Sequence, residues 1–145
     1  MKRLLLIFAL LSLVVVLPAC GSETADQGDI TPLAVVTGDS EVSYTVQQLQ
    51  ALPAETVDGY TGVTLAELLQ HAGIDPTPLS SVNAIASDGF SATYEPDLIM
   101  APDTLVAYGH DGGDLPADEQ PLRMVLPEQP GRLNVRMLVR LEAVQ

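Results

Sequence analysis

Apolar positions follow two regimes along this chain. From residue 4 to residue 17 they run almost without a break, and beyond residue 31 they alternate with polar ones in short stretches. Alternation over Leu33–Thr37 predicts a strand, Gly38-Asp39-Ser40 a turn, and residues 42–44 a second strand. Thr45 is placed to cap a short helix that runs through Leu52 and stops at Pro53. Thr64 and Glu67 have the spacing of a capping box, Leu65, Leu68 and Leu69 form an apolar stripe, and Gly73 is a natural stop. Residues 82–86 and 90–94 flank Ser87-Asp88-Gly89, which predicts a hairpin. A helical turn over Pro96–Met100 and a strand over residues 104–108 follow.

The last third reads face by face. Leu122, Met124 and Leu126 alternate with Arg123 and Val125. In the final strand Val135, Met137, Val139 and Leu141 share one predicted face, with Arg136, Leu138, Arg140 and Glu142 on the other. The whole predicts a single α+β domain over residues 31–145. Its expected architecture is a twisted, mixed but mostly antiparallel sheet with two or three short helices.

The first apolar run is a different object. It follows Met1-Lys2-Arg3 and ends in Leu17-Pro18-Ala19-Cys20, the order of an export signal. A helix that spans a bilayer needs roughly 20 apolar residues, and Pro18 interrupts this run before that. With cysteine at the cleavage point, the pattern resembles a bacterial lipoprotein signal. That resemblance implies a signal peptide over residues 1–19, diacylglycerol on the Cys20 thiol, and an extracytoplasmic domain held to a bacterial membrane. Residues 21–30 are small and polar and read as a flexible tether. In a bacterium with two membranes, Gly21 after the cysteine favours sorting to the outer one; in a bacterium with one, the same anchor means the outer leaflet of the cell membrane. Cys20 is also the only cysteine. Once lipidated, it leaves the domain without a disulfide, a thiolate nucleophile or a thiolate ligand.

Charge narrows the choice of partner. All 19 acidic residues lie after Cys20, against Arg123, Arg132, Arg136 and Arg140, and no Lys or Arg occurs from residue 4 through 122. Such a surface repels nucleic acid and anionic headgroups, so a lipid chain and not electrostatics would provide membrane attachment. Tryptophan is absent and aromatics make up 4% of the chain, which leaves little surface for stacking sugars or bases.

Five segments in order resemble the oxidoreductase molybdopterin-binding domain, the fold of sulfite oxidase. They are Gly62-Val63-Thr64-Leu65-Ala66-Glu67-Leu68-Leu69 with Ala72-Gly73-Ile74; Ser87-Asp88-Gly89-Phe90; and Leu105-Val106-Ala107-Tyr108 with Asp111-Gly112 and Leu115. Pro121-Leu122-Arg123-Met124-Val125-Leu126-Pro127 and Val135-Arg136 complete the set. The resemblance implies a molybdenum-binding cysteine between the first helix and the Gly-Val-x-Leu helix. Here that interval, residues 53–61, holds no cysteine and no basic residue. Glu55 and Asp58 are hard oxygen donors, poor substitutes for a thiolate at a metal held by sulfur.

The leading expectation is therefore a shortened, non-catalytic module without a cofactor. Molybdopterin enters only through the resemblance. The old cleft around Asp88, Arg123, Arg136 and Arg140 would take a small anionic ligand or a protein partner. The rival is a molybdopterin-dependent oxidoreductase with atypical ligation. A third reading, a β-grasp-like sugar or cobalamin binder, rests on the Gly-Val-Thr-Leu-Ala-Glu-Leu-Leu helix, which recurs in such modules. Asp88 suits a tight turn as well as a pocket, and the arginines suit ion pairs with the acidic surplus as well as a ligand. His71 and His110 lack paired ligand spacing, and no Gly-x-Ser-x-Gly elbow or phosphate-cradling glycine loop is present. Cys20→Ser is expected to move the protein expressed in a bacterium from the detergent phase to the aqueous phase of a Triton X-114 partition; unchanged partitioning would refute lipidation at Cys20.

Overall fold

Turn chemistry sets the first pairings. Gly38 adopts the left-handed region (φ 54°) and reverses the chain between β1 (Leu33–Thr37) and β2 (Ser40–Tyr44), which pair antiparallel. Residues 33–145 are those described by the computed structural model of the protein; the signal, Cys20 and the tether fall outside them. Thr45 then caps α1 (Val46–Gln50) with a full capping box: its side chain accepts from the Gln48 N–H, and Gln48 returns a bond to the Thr45 N–H. At α2 (Leu65–His71) Thr64 accepts from the Glu67 N–H at 3.3 Å, the first half of the expected box.

Between these helices lies a hairpin that the hydrophobic pattern did not predict, β3 (Glu55–Val57) and β4 (Tyr60–Thr64). Its turn residues Asp58 and Gly59 both have positive φ (51° and 81°), as a two-residue turn of the primed type requires. Next come β5 (Ser81–Ala86), β6 (Ser91–Tyr94), α3 (Pro96–Met100), β7 (Leu105–His110), β8 (Gly113–Asp114) and β9 (Arg123–Val125). A 3₁₀ turn (Gly131–Leu133) and β10 (Leu138–Val144) end the chain.

The strands divide between two sheets. One has the order β2-β1-β10-β5-β6, with β1 and β10 parallel and every other pair antiparallel. The other has the order β3-β4-β7-β8, with β9 added to β7. Leu33, Val35, Val82 and Leu141 from the first sheet meet Val63, Val106 and Met124 from the second, with Leu65, Leu68, Leu69 and Ile99 from the helices, in one core. Each such aliphatic side chain contributes about 1.5–3 kcal/mol when fully buried, so a core of this size needs no aromatic cluster. A smaller cluster (Leu105, Ala107, Val125) lies with Val57 and Tyr60. Gly62 is needed for close approach: a Cβ there would run into the Val106 carbonyl and the Ala107 Cα on β7.

The alternation predicted over residues 122–126 holds, with Leu122, Met124 and Leu126 in the main core and Val125 in the smaller cluster. The last strand departs from its predicted faces. Met137 has φ 51°, regular pairing starts only at Leu138, and the register shifts between Leu138 and Arg140. The irregularity reassigns side chains to faces. Val135, Leu138, Leu141 and Ala143 are buried, whereas Met137 and Val139 are half-exposed.

Candidate ligand groove

A groove of about 320 Å³ lies where the β5–β6 turn faces the chain leading into β10, near the lower end of the range for small-molecule sites. Asp88 and Phe90 form one side, and Arg132, Asn134, Arg136 and Met137 the other, with Asp118 also lining it. Local chemistry fixes both walls. Asp88 folds its carboxylate onto its own turn, where Oδ1 accepts from the Phe90 N–H at 2.9 Å, and Gly89 supplies a φ of 88°. The Ser87 N–H donates to the Met137 carbonyl at 2.9 Å, which joins the two sides. On the far wall Asn134 Oδ1 accepts from the Leu126 N–H at 2.8 Å, and the buried Tyr94 hydroxyl donates to the Leu133 carbonyl at 2.6 Å. The 3₁₀ turn that bears Arg132 is thereby pinned to both β9 and β6.

Of the four side chains expected to share a cleft, Asp88 and Arg136 line this groove, and Arg123 and Arg140 do not. Arg123 is 9% exposed. Its Nη1 donates to the Tyr60 hydroxyl at 2.8 Å and to the Glu119 carboxylate, and its Cζ lies 4.4 Å from the Tyr60 ring centroid. Arg140 follows the register shift on β10 and pairs with Glu142 (2.7 Å) and Glu41 (3.2 Å) on the sheet face opposite the core. The Glu142 hydrogen bond, with Glu41 adding to it, raises its pKa.

Arg136 differs from Arg123 in how firmly it is held. It sits 3.0 Å from Asp118 and 3.6 Å from Glu119, but its side chain is 55% exposed. An exposed pair is worth under about 1 kcal/mol and opens readily, whereas breaking a buried one costs about 3–5 kcal/mol. Arg132 was not singled out by the sequence pattern because it lies outside any strand. Among the described residues it is nevertheless the arginine with no carboxylate in ion-pair range. Phe90, 48% exposed, adds an apolar surface on the opposite wall. The arrangement sets one free guanidinium, one exchangeable guanidinium and a ring beside two carboxylates, Asp118 and an Asp88 turned onto its own loop.

The histidines are engaged elsewhere. His71 Nδ1 shares a hydrogen bond of 2.9 Å with the Tyr44 hydroxyl. His110 packs against Tyr60 with the ring centroids 4.3 Å apart and the planes tilted by 40°, and its Nδ1 lies 3.6 Å from Asp111.

The sequence model of the oxidoreductase molybdopterin binding domain matches residues 38–145, and the chain belongs to that family. Its fold is similar to that of the sulfane dehydrogenase SoxCD from Paracoccus pantotrophus, with a TM-score of 0.65 at 19% identity. The match covers 78% of this chain and 38% of that one, so this chain corresponds to well under half of that protein's length. No curated protein matches it in sequence. Family and fold together replace the β-grasp reading.

The donor set does not suit the family's metal. The described residues contain no cysteine. The interval expected to carry one is built as the β3–β4 hairpin, whose side chains include the oxygen donors Glu55, Thr56, Asp58, Tyr60 and Thr61. Hard oxygens are a poor match for a metal bound through sulfur. Among the described residues no group of three or more His, Cys, Asp or Glu side chains is arranged to hold a metal ion.

Burial pushes the pKa of Tyr94 well above its ordinary value of 10.0. The folded state thus keeps a proton that the unfolded chain releases, so this contribution to stability is complete below about pH 10 and is lost as pH rises further. Tyr94→Phe is expected to lower stability by about 1 kcal/mol at neutral pH, because the Leu133 carbonyl loses its donor. It should also flatten the fall in urea midpoint between pH 9 and 11. A wild-type slope in the variant would show that Tyr94 stays exposed.

Proposed function

We propose that this chain is an exported, lipid-anchored module that uses the molybdopterin-binding fold without its redox chemistry, and that it binds a small anion in the groove between Phe90 and Arg132. The observation that carries the reading is the oxygen-only β3–β4 hairpin in a domain with no cysteine after Cys20. A molybdenum centre in this family relies on a protein thiolate at that interval, and a thiolate at Cys20 would be consumed by lipidation. The groove supports the binding half of the proposal. Among the described residues Arg132 has no counter-ion, and the exposed pair of Arg136 with Asp118 opens at little cost. Membrane attachment rests on the signal pattern and Cys20, with the acidic surface giving no attraction of its own to anionic lipid.

The test is elemental analysis of the intact chain produced in a host replete with molybdenum cofactor. Molybdenum well below one atom per chain in folded protein is the expected result, and near-stoichiometric metal would replace this reading with an oxidoreductase of atypical ligation. For the groove, sulfate serves as the probe, titrated while the Phe90 amide and the Arg132 Nε–H are followed by NMR. Arg132→Ala should weaken the saturable response at least tenfold, about 1.4 kcal/mol, with Arg140→Ala unchanged. Equal binding by wild type and Arg132→Ala would remove the groove from the proposal.

A further inference from the structure

Beside the groove, Arg123 and Glu119 form an interior ion pair. Their side chains are 11% and 7% exposed. Arg123 comes from β9 and Glu119 from the loop before it. The loop is independently fixed: the Glu119 N–H donates to the Pro116 carbonyl (2.9 Å), the Met137 N–H donates to the Glu119 carbonyl (3.2 Å), and Gln120 Nε2 donates to the Leu115 carbonyl (2.8 Å). The carboxylate is used unevenly. Oε1 takes Arg123 Nη1 and lies 3.6 Å from Arg136 Nε, while Oε2 is buried with no hydrogen-bond partner among the described residues.

A buried guanidinium requires a counter-charge, since leaving it uncompensated is strongly unfavourable. In this domain the chain supplies that charge itself. We propose that Glu119 is a built-in anion: its carboxylate fills the seat that Arg123 and Tyr60 would otherwise offer to an external acid, and so closes the interior to ligands. The proposal concerns the seat at Arg123 and Tyr60; because Glu119 also lies 3.6 Å from the groove's Arg136, the outcome is read through Arg123→Met. It specifies a ligand size. Truncation of glutamate at Cβ removes Cγ and the carboxylate, the heavy atoms of one acetate ion. Glu119→Ala should therefore create an acetate site on Arg123 where the wild type has none.

The experiment is thermal unfolding of the intact chain in rising sodium acetate at ionic strength held constant with chloride. Glu119→Ala should lower Tm by roughly 10 °C, and acetate should restore most of the loss along a saturable curve. Propionate, one carbon too long for the space, should restore less. Wild type should show no saturable response beyond the groove's own, which Arg132→Ala removes, and Glu119→Ala combined with Arg123→Met should show no rescue beyond it. A Glu119→Ala protein as stable as wild type, or an acetate response of equal size in both, would overturn the proposal. Should Glu119→Ala not fold, Glu119→Gln keeps the shape and removes the charge. Its Tm should fall, and adding Arg123→Met should recover part of the loss; a Glu119→Gln protein with wild-type Tm would equally overturn it.

Discussion

The strip from Asn134 to Leu138 joins parts of both sheets and the loop between them. Asn134 Oδ1 accepts from Leu126, the Val135 carbonyl from Met124, and the Met137 carbonyl from Ser87, while the Met137 and Leu138 N–H groups donate to Glu119 and Leu122. Within five residues, the first sheet, β9, the β5–β6 turn and the loop carrying Glu119 are tied together. The left-handed conformation of Met137 is compatible with these bonds and with the shift in side-chain faces that follows it. Both walls of the groove and the interior ion pair hang from this strip, so the site's geometry follows from how the two sheets are joined.

Much of the scaffold was legible in advance because local chemistry and burial agreed there. The Thr45 and Thr64 caps, the Leu65-Leu68-Leu69 stripe, the turn at Ser87-Asp88-Gly89 and the alternation around Met124 each follow from a few adjacent residues. Two features were not read. The β3–β4 hairpin is short, and its strands carry Thr, Glu and Gly where an alternating pattern expects apolar residues; Val57-Asp58-Gly59-Tyr60 was the signal that would have found it. The faces of β10 were misassigned because period-two reasoning assumes unbroken pairing, and nothing in Met137-Leu138-Val139-Arg140 announces an irregularity. That error carried through to the site. Placing Arg136 and Arg140 on one face put them together, whereas the register shift sends Arg140 to Glu41 and Glu142 and leaves Arg136 with Asp118. Arg132 was passed over because a loop arginine carries no periodicity to be noticed by.

The family comparison and the side-chain chemistry point in different directions, and the difference is informative. The family model matches residues 38–145, and within that span Gly62 lets β4 approach β7. The interval between α1 and α2 is a hairpin whose polar side chains are oxygen donors, and in the interior an arginine faces a glutamate of its own chain. Fold-defining positions and chemistry-defining positions are thus separable in this domain.

The parallel pairing of β1 with β10 has a mechanical consequence. β1 is hydrogen-bonded on both sides, to β2 and to β10, with Ala34 opposite Arg140 and Thr37 opposite Ala143. Tension on the chain ahead of Leu33 acts along the strand axis and loads both ladders in shear. The bonds must then fail together and not one after another, as they would in peeling. The chain also enters beside the start of β10, immediately after Arg136 and Met137. A pull on the N-terminus would therefore reach the start of β10 directly through the β1 ladder.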